Sequence, residues 1–200
     1  MSNVNITTNY DIRYLFVNYK YLLNDLNLDE VTSLLYIAFL LSLYEGNMAN
    51  RWGYEFSYNK LGGPSSYEIL KELNQMVDKG DLKKDNKGYY SSTINKDRTL
   101  LFNKIANLKR FYWRNYYIES AVSLCFTNTL PEIKSALYNE PEIKNSRLLK
   151  SSNKLYKNNY LDHFKELRNV FNEVKCTNMK KIANIWIKCL YNETFGECNV

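Results

Sequence analysis

The segment Phe56–Thr93 indicates the fold most directly, and it reads FSYNKLGGPSSYEILKELNQMVDKGDLKKDNKGYYSST. Gly62–Pro64 interrupts any helix that precedes it, because two glycines and a proline disfavour continued helical backbone. Ser65 with Glu68 fits a capping box, which starts a new helix. An apolar stripe at helical spacing follows, formed by Ile69, Leu70, Leu73, Met76 and Val77. Gly80 is suited to the C′ position and ends the predicted helix at about residue 79.

A β-hairpin is predicted directly after this helix. Leu82–Lys84 forms one short strand, Asp85–Gly88 the turn, and Tyr89–Thr93 the second strand. A capped helix followed by a hairpin is typical of the second half of a winged helix-turn-helix. The alternative is an α+β fragment whose helix merely packs on a hairpin.

The residues before this segment predict two helices. Tyr10–Leu26 carries apolar residues at helical spacing, with no glycine or proline. Asn27 and Glu30 form a second capping box, and Val31–Tyr44 is apolar on nearly every side. The second helix is therefore expected to be the first core helix of the domain, with the N-terminal helix as an added element. Further on, aromatic residues alternate at 54, 56 and 58, which indicates either a short strand or an aromatic-packed loop.

The longest helical candidate follows the hairpin. Residues 97–126 contain no glycine or proline. One side carries an apolar seam formed by Leu101, Ile105, Leu108 and Tyr112. Such a seam either mediates dimerisation or packs back within the monomer.

Beyond this helix the chain is predicted to be helical again. Pro131 and Pro141 each fit the first turn of a short helix. Residues 145–159 are polar and basic and are the best linker candidate, and amphipathic helices are predicted over 160–174 and 178–191.

The predicted fold class is mainly α with a small β-hairpin, built as a winged helix-turn-helix followed by a long helix and a C-terminal helical part. The predicted divisions are a winged-helix domain with an extra N-terminal helix at 1–96, a connecting or dimerisation helix at 97–127, and the C-terminal helical part at 128–200.

The charge of the chain is unevenly distributed. The net charge is +6, but residues 1–80 carry six basic and nine acidic side chains, whereas residues 81–160 carry fifteen and seven. The basic excess begins at the hairpin, which suits phosphate contacts by a wing and by the helix after it. The alternative is a solvated surface that balances an acidic N-terminal half.

The candidate DNA-binding residues lie on the helix at 65–79, on the wing at 82–93 and after it. They are Tyr67, Lys71, Asn74, Gln75, Lys83, Lys84, Lys87, Arg110 and Arg114. Three acids on the presumed recognition helix, Glu68, Glu72 and Asp78, would meet phosphate unfavourably. Base contacts from this helix are therefore expected only if the acids point toward the protein.

Four segments between residues 33 and 84 resemble a loose group of prokaryotic winged-helix proteins. They are Ser33-Leu-Leu-Tyr-Ile, Tyr54-x-Phe-x-Tyr, Gly63-Pro-Ser-Ser-x-Glu-Ile-Leu and Leu73-x-x-Met-x-x-x-Gly-x-Leu-Lys. The group includes the Panacea antitoxin domain. The resemblance implies a winged-helix fold and a role in DNA binding or toxin neutralisation, with no catalytic residues.

Catalysis, cofactors and metal are not expected. The four cysteines are widely spaced without a C-x-x-C pair, and His163 is the only histidine, so no zinc site is predicted. The N-terminus lacks the basic and apolar regions of a signal peptide, and the apolar runs are too short to cross a bilayer. These observations predict a cytoplasmic, non-enzymatic protein without membrane contact.

The sequence thus favours a transcriptional regulator that binds double-stranded DNA, acting as a homodimer. The alternative is a protein-interaction module, antitoxin-like or from a mobile element, whose basic face binds an acidic protein partner.

Overall fold

The computed structural model describes residues 6–46, 52–59, 63–148, 168–169, 172 and 177–195. These residues are mainly helical, with two small antiparallel strand pairs, so the prediction of a mainly α fold with a β-hairpin is confirmed. The elements in chain order are α1 (Ile6–Asn18), α2 (Leu28–Tyr44), β1 (Ser57–Asn59), β2 (Gly63–Ser65), α3 (Tyr67–Asp78), β3 (Leu82–Lys84), β4 (Tyr90–Ser92), α4 (Lys96–Ala106), α5 (Tyr112–Val122), α6 (Leu130–Leu137), α7 (Pro141–Leu148) and α8 (Met179–Phe195).

Helix α2 forms the centre of the core. The predicted capping box is confirmed: the Asn27 side chain accepts from the Glu30 amide at 3.0 Å, and the Glu30 carboxylate accepts from the Asn27 amide at 2.8 Å. Every residue from Val31 to Tyr44 is buried, as expected for a helix that is apolar on nearly every side. Among the described elements, α5 packs most extensively against α2.

Helix α1 differs from its predicted bounds of 10–26. It begins at Ile6 and ends at Asn18, and a turn closed by bonds from Leu22 and Leu23 to the Tyr19 carbonyl follows. Leu26 then pairs with Tyr90 of β4 as an isolated antiparallel bridge. The apolar spacing continued past residue 18, but tertiary pairing with the hairpin favours extended backbone there.

The predicted hairpin is confirmed as β3 and β4, with Leu82 opposite Ser92 and Lys84 opposite Tyr90. The predicted Ser65–Glu68 capping box is wrong. Ser65 lies in β2, where its hydroxyl donates to the Ser57 carbonyl at 3.1 Å across the β1–β2 pair. The residue before α3 is Ser66.

The predicted single helix over residues 97–127 is also wrong. Helix α4 ends at Ala106, a 3₁₀ turn spans Lys109–Phe111, and α5 begins at Tyr112. The break is stabilised from both sides. The Asn115 side chain donates to the Ala106 carbonyl at 2.9 Å, and Phe111 stacks on Tyr10 with ring centroids 3.9 Å apart. A continuous helix would make neither of these interactions.

The C-terminal elements partly follow the predictions. Pro131 lies in the first turn of α6 and Pro141 begins α7, as predicted. Helix α8 corresponds to the predicted helix at 178–191 and packs on α6 and α5. Residues 145–148 belong to α7, whereas the rest of the predicted linker and most of the helix predicted at 160–174 fall outside the described residues.

None of the described helices combines the length and the apolar character needed to span a bilayer.

Candidate nucleic-acid interface

Helix α3 presents a polar stripe on the side opposite its buried face. Ile69, Leu73 and Met76 are fully buried. Tyr67, Lys71 and Asn74 are spaced i, i+4 and i+7 on the opposite side and are all exposed, Tyr67 to 73%. The neighbouring Gln75 is half-buried, and Gly80 follows the helix with a φ of 70°. Three of the four predicted base-contacting residues are therefore exposed.

Two of the three acids of α3 do not compete for this stripe. Glu72 is only 5% exposed, and its carboxylate accepts from the Asn9 side chain of α1 at 2.6 Å. Glu68 is half-buried and accepts from the Ser66 hydroxyl at 3.1 Å. Asp78 alone is fully exposed, at the end of the helix. From the start of α3, the stripe thus carries Tyr67, Lys71 and Asn74, and the first exposed acid is Asp78 at the end of the helix.

The β3–β4 turn displays lysines from an ordered backbone. The Asp85 carboxylate accepts from the Lys87 amide at 2.9 Å and from the Tyr89 amide at 2.8 Å, and Gly88 has a φ of 88°. This acid is therefore engaged in organising the turn. The lysines at 83, 84 and 87 are exposed, and the ammonium of Lys84 lies 5.1 Å from the centre of the Tyr90 ring. The three lysines of the predicted basic wing are thus on the surface.

A buried carboxylate fixes the β3–β4 hairpin against the helices. Asp81 lies between α3 and β3, is 1% exposed, and forms ion pairs with Arg13 of α1 and with Arg98 of α4, the latter at 2.6 Å. Its amide also donates to the Met76 carbonyl at 2.8 Å. These contacts connect the end of α3 to the start of the hairpin, so the two predicted contact regions have a defined relation to each other.

The two predicted arginines lie in different environments. Arg110 is exposed on the 3₁₀ turn, with its guanidinium 4.7 Å from the centre of the Phe111 ring. Arg114 is only 5% exposed and forms a bidentate ion pair with Asp11, at 2.5 and 2.9 Å. The inclusion of Arg114 among the surface contacts is therefore corrected, because a buried, paired guanidinium does not reach a phosphate.

The environment of this pair is apolar and aromatic. The Arg114 guanidinium lies 4.5 Å from the centre of the Trp52 ring, and the Tyr54 hydroxyl donates to Asp11 at 3.1 Å. Burial raises the pKa of Asp11 to about 6, although Arg114 and Tyr54 both favour the ionised form. One signal in the sequence pointed to this cluster: Asp11 stands directly between Tyr10 and Ile12, and an acid that is buried beside such side chains needs a partner.

One exposed surface is apolar, in contrast to the polar candidate DNA-binding residues. The predicted apolar seam on residues 101–112 is exposed. Leu108 and Tyr112 of this seam line an open groove with Trp113, Lys109 and Glu119. The four side chains of the seam are 37–62% exposed, so the described part of the monomer covers them only in part.

The described residues contain no cluster of three or more histidine, cysteine, aspartate or glutamate side chains able to hold a metal ion. His163 lies outside the described residues.

No family model, curated protein or solved structure matches this chain. The resemblance of residues 33–84 to the prokaryotic winged-helix group therefore stays a prediction.

Proposed function

We propose that this protein binds double-stranded DNA through a winged-helix surface. In this proposal α3 approaches the major groove, and the lysines of the β3–β4 turn contact the adjacent phosphate backbone. The observation that carries the proposal is the pairing of two accessible surfaces, the polar stripe of α3 and the lysine turn, on elements held together by Asp81.

The order of elements supports this choice of fold. Helix α1, the bridge residue Leu26, α2, α3 and the β3–β4 hairpin follow one another as the helices and strands of a winged helix do. In this proposal α1 is the first helix of the domain, which replaces the expectation that α1 is an added element and that α2 comes first. The β1–β2 pair is then an insertion between the second and third helices. Leu26 pairs with β4 and not with β3. In this proposal Leu26 is the first strand of the winged helix, and it pairs with the C-terminal strand of the wing.

The inward orientation of Glu72 supports the proposed mode of contact. DNA carries a high density of negative charge, so an acid on the contacting stripe would oppose binding. Lys71 can contact phosphate or a guanine edge, and Asn74 can pair with an adenine edge in the major groove. Tyr67, at the start of the helix, is positioned for the backbone or for a thymine methyl group.

The proposed regulator acts in the cytoplasm as a homodimer. If DNA binding fails, the basic surface is left for an acidic protein partner, which was the alternative that the sequence allowed.

The test compares two triple variants with the same change in net charge. Lys83→Ala/Lys84→Ala/Lys87→Ala removes the wing lysines, and Lys144→Ala/Lys180→Ala/Lys181→Ala removes three lysines of α7 and α8. Fluorescence anisotropy with a labelled random duplex is measured between ~50 and ~200 mM salt.

The wing variant is expected to bind more weakly on every sequence. Its slope of log affinity against log salt should be shallower by about 2–3, because each phosphate contact contributes roughly 0.9 to that slope. The control variant should keep most of the wild-type slope, since its lysines lie on other elements. Absence of DNA binding by the wild-type protein at the lowest salt, or equal losses in the two variants, overturns the proposal.

A further inference from the structure

We infer that this chain forms a symmetric dimer through the outward face of α4. This inference does not depend on DNA binding, because it is carried by a different surface. The outward face is defined here as the exposed apolar side of α4, of the turn after it and of the first residues of α5. It carries Leu100, Leu101, Ile105, Leu108, Tyr112 and Trp113.

The exposure of these side chains is unusual for residues of their type. Their exposed fractions lie between 37% and 62%. A half-exposed side chain of this size leaves roughly 100 Å² in contact with water, so the six together present about 600 Å². The largest apolar patch on a typical monomeric protein is ~300–600 Å² and is often functional, so this face lies at the upper end of that range. Two such faces together present about 1,200 Å² of apolar surface, which equals the lower limit for a stable specific interface when all of it is buried.

The spacing of the residues gives the face the form of a helix–helix contact. Phe102 and Ala106 point into the protein and are buried. The opposite side of α4 carries a stripe at i, i+3, i+4 and i+7, formed by Asp97, Leu100, Leu101 and Lys104. Residues at this spacing lie on one side of a helix and can contact one partner helix along their whole length.

The two charged residues of this stripe make it self-complementary, which indicates that its binding partner is a second copy of the chain. The point midway between Asp97 and Lys104 along the helix is also the point midway between Leu100 and Leu101. A two-fold axis through that midpoint places Asp97 of each copy beside Lys104 of the other, and Leu100 beside Leu101. Symmetric dimers require this kind of self-complementary surface, in which a contact and its reverse both occur.

The charges of the stripe are available for such a contact. Asp97 and Lys104 are both exposed, and neither forms an ion pair with any other residue that the structure describes. The neighbouring Arg98 lies toward the protein and pairs with Asp81. An antiparallel contact would therefore contain two identical ion pairs at the ends of a leucine centre, which fixes its register.

The test uses the full chain and measures the dimer dissociation constant by analytical ultracentrifugation from ~1 to ~100 μM. Asp97→Lys and Lys104→Asp each create two like-charge pairs in the dimer, so each should weaken association by about 10-fold or more. The double variant Asp97→Lys/Lys104→Asp restores both ion pairs in reversed order and should return the dissociation constant to within about 3-fold of wild type. Lys180→Asp, at an exposed position of α8, is the matched single-charge control and should leave association unchanged.

A second pair of substitutions tests the apolar centre. Leu100→Ser/Leu101→Ser should weaken association by about 30-fold or more, because both side chains would be removed from the middle of the contact. Both positions are exposed, so the monomer should keep its helical circular dichroism and melting temperature. A wild-type protein that stays monomeric at ~100 μM overturns the inference. A dimer insensitive to the leucine substitutions, or no recovery in the charge-reversed double variant, overturns it as well.

Discussion

The interior between α1 and α5 and the surface formed by α3 and the β3–β4 turn use charged residues in opposite ways. In the interior, Asp11 and Arg114 are nearly inaccessible and hold each other through two hydrogen bonds. On the surface, Lys71 and the lysines of the turn are exposed. The planar guanidinium of arginine suits a buried two-point contact, whereas the strongly hydrated ammonium of lysine favours solvent.

This difference shows which part of the basic excess is available to a partner. Residues 81–160 carry a net charge of +8, counted from fifteen basic and seven acidic side chains. Arg114 is paired inside the protein, and Arg98 pairs with the buried Asp81. The lysines of the turn have no such role in the fold. The charge of a segment therefore overstates its capacity to bind an anion until the buried pairs are subtracted.

The largest effect on stability is expected from breaking the interior pair. Arg114→Leu leaves the Asp11 carboxylate buried without its counter-charge, which should lower the free energy of unfolding by about 3–5 kcal/mol at pH 8. Arg110→Leu, the exposed control four residues away, should cost less than about 1 kcal/mol, since it removes only a guanidinium that lies over the Phe111 ring. Urea unfolding of both variants measures the difference.

The pH dependence of this effect provides its control. Burial already raises the pKa of Asp11 to about 6 in the presence of Arg114. Without the guanidinium that pKa rises further, so protonation at pH 5 should relieve part of the cost in Arg114→Leu. Equal destabilisation of the two variants, or a larger loss at pH 5 than at pH 8, would contradict the interpretation of this pair as structural.

A second interior acid should make wild-type stability depend on pH. Glu140 is 1% exposed, and its carboxylate accepts from the Tyr36 hydroxyl and the Ile143 amide, both at 3.0 Å. Burial outweighs these bonds and raises the pKa of Glu140 to about 7. Because the folded-state pKa lies above the unfolded value, the stabilisation is present below about pH 4.5 and is lost as the pH rises through 7.

Glu140→Gln removes this titration. Between pH 5 and pH 8 the wild-type protein should lose about 2–3 kcal/mol more unfolding free energy than the Gln variant, given ~1.4 kcal/mol for each pKa unit. Asp78→Asn, at the exposed end of α3, should follow the wild-type pH profile. Parallel profiles for wild type and Glu140→Gln would show that the buried carboxyl does not titrate in this range.

The elements that sequence reasoning located were those with a local signal. The capping box at Asn27, the glycine after α3 and the Asp85–Gly88 turn each act within a few residues, and the structure has all three. The errors arose where distant contacts decide the backbone. The α4–α5 break depends on Asn115 and Phe111 contacting residues outside the local pattern, which helical spacing alone does not reveal.

The candidate site was partly predictable for the same reason. Periodicity identified the outward stripe of α3, and the turn sequence identified the exposed lysines. Whether Glu72 faced the stripe or the protein depended on Asn9, 63 residues away, and the fate of Arg114 depended on Asp11, 103 residues away. A count of charged residues includes Glu72 and Arg114 among the possible surface charges. Only the tertiary structure shows that both side chains are buried.

The smallest effect on stability is expected for the wing lysines. Lys83→Ala/Lys84→Ala/Lys87→Ala should change the free energy of unfolding by less than about 0.5 kcal/mol, because substitutions at exposed positions outside specific interactions seldom do more. The variant removes the Lys84 ammonium from the Tyr90 ring, and relief of repulsion among three like charges offsets that cost. Urea unfolding of this variant beside Arg114→Leu completes the comparison. A destabilisation comparable to that of Arg114→Leu would assign the lysines to the fold, and reduced DNA binding by the variant would then reflect unfolding. An unchanged stability makes any reduction of DNA affinity a direct property of the wing surface.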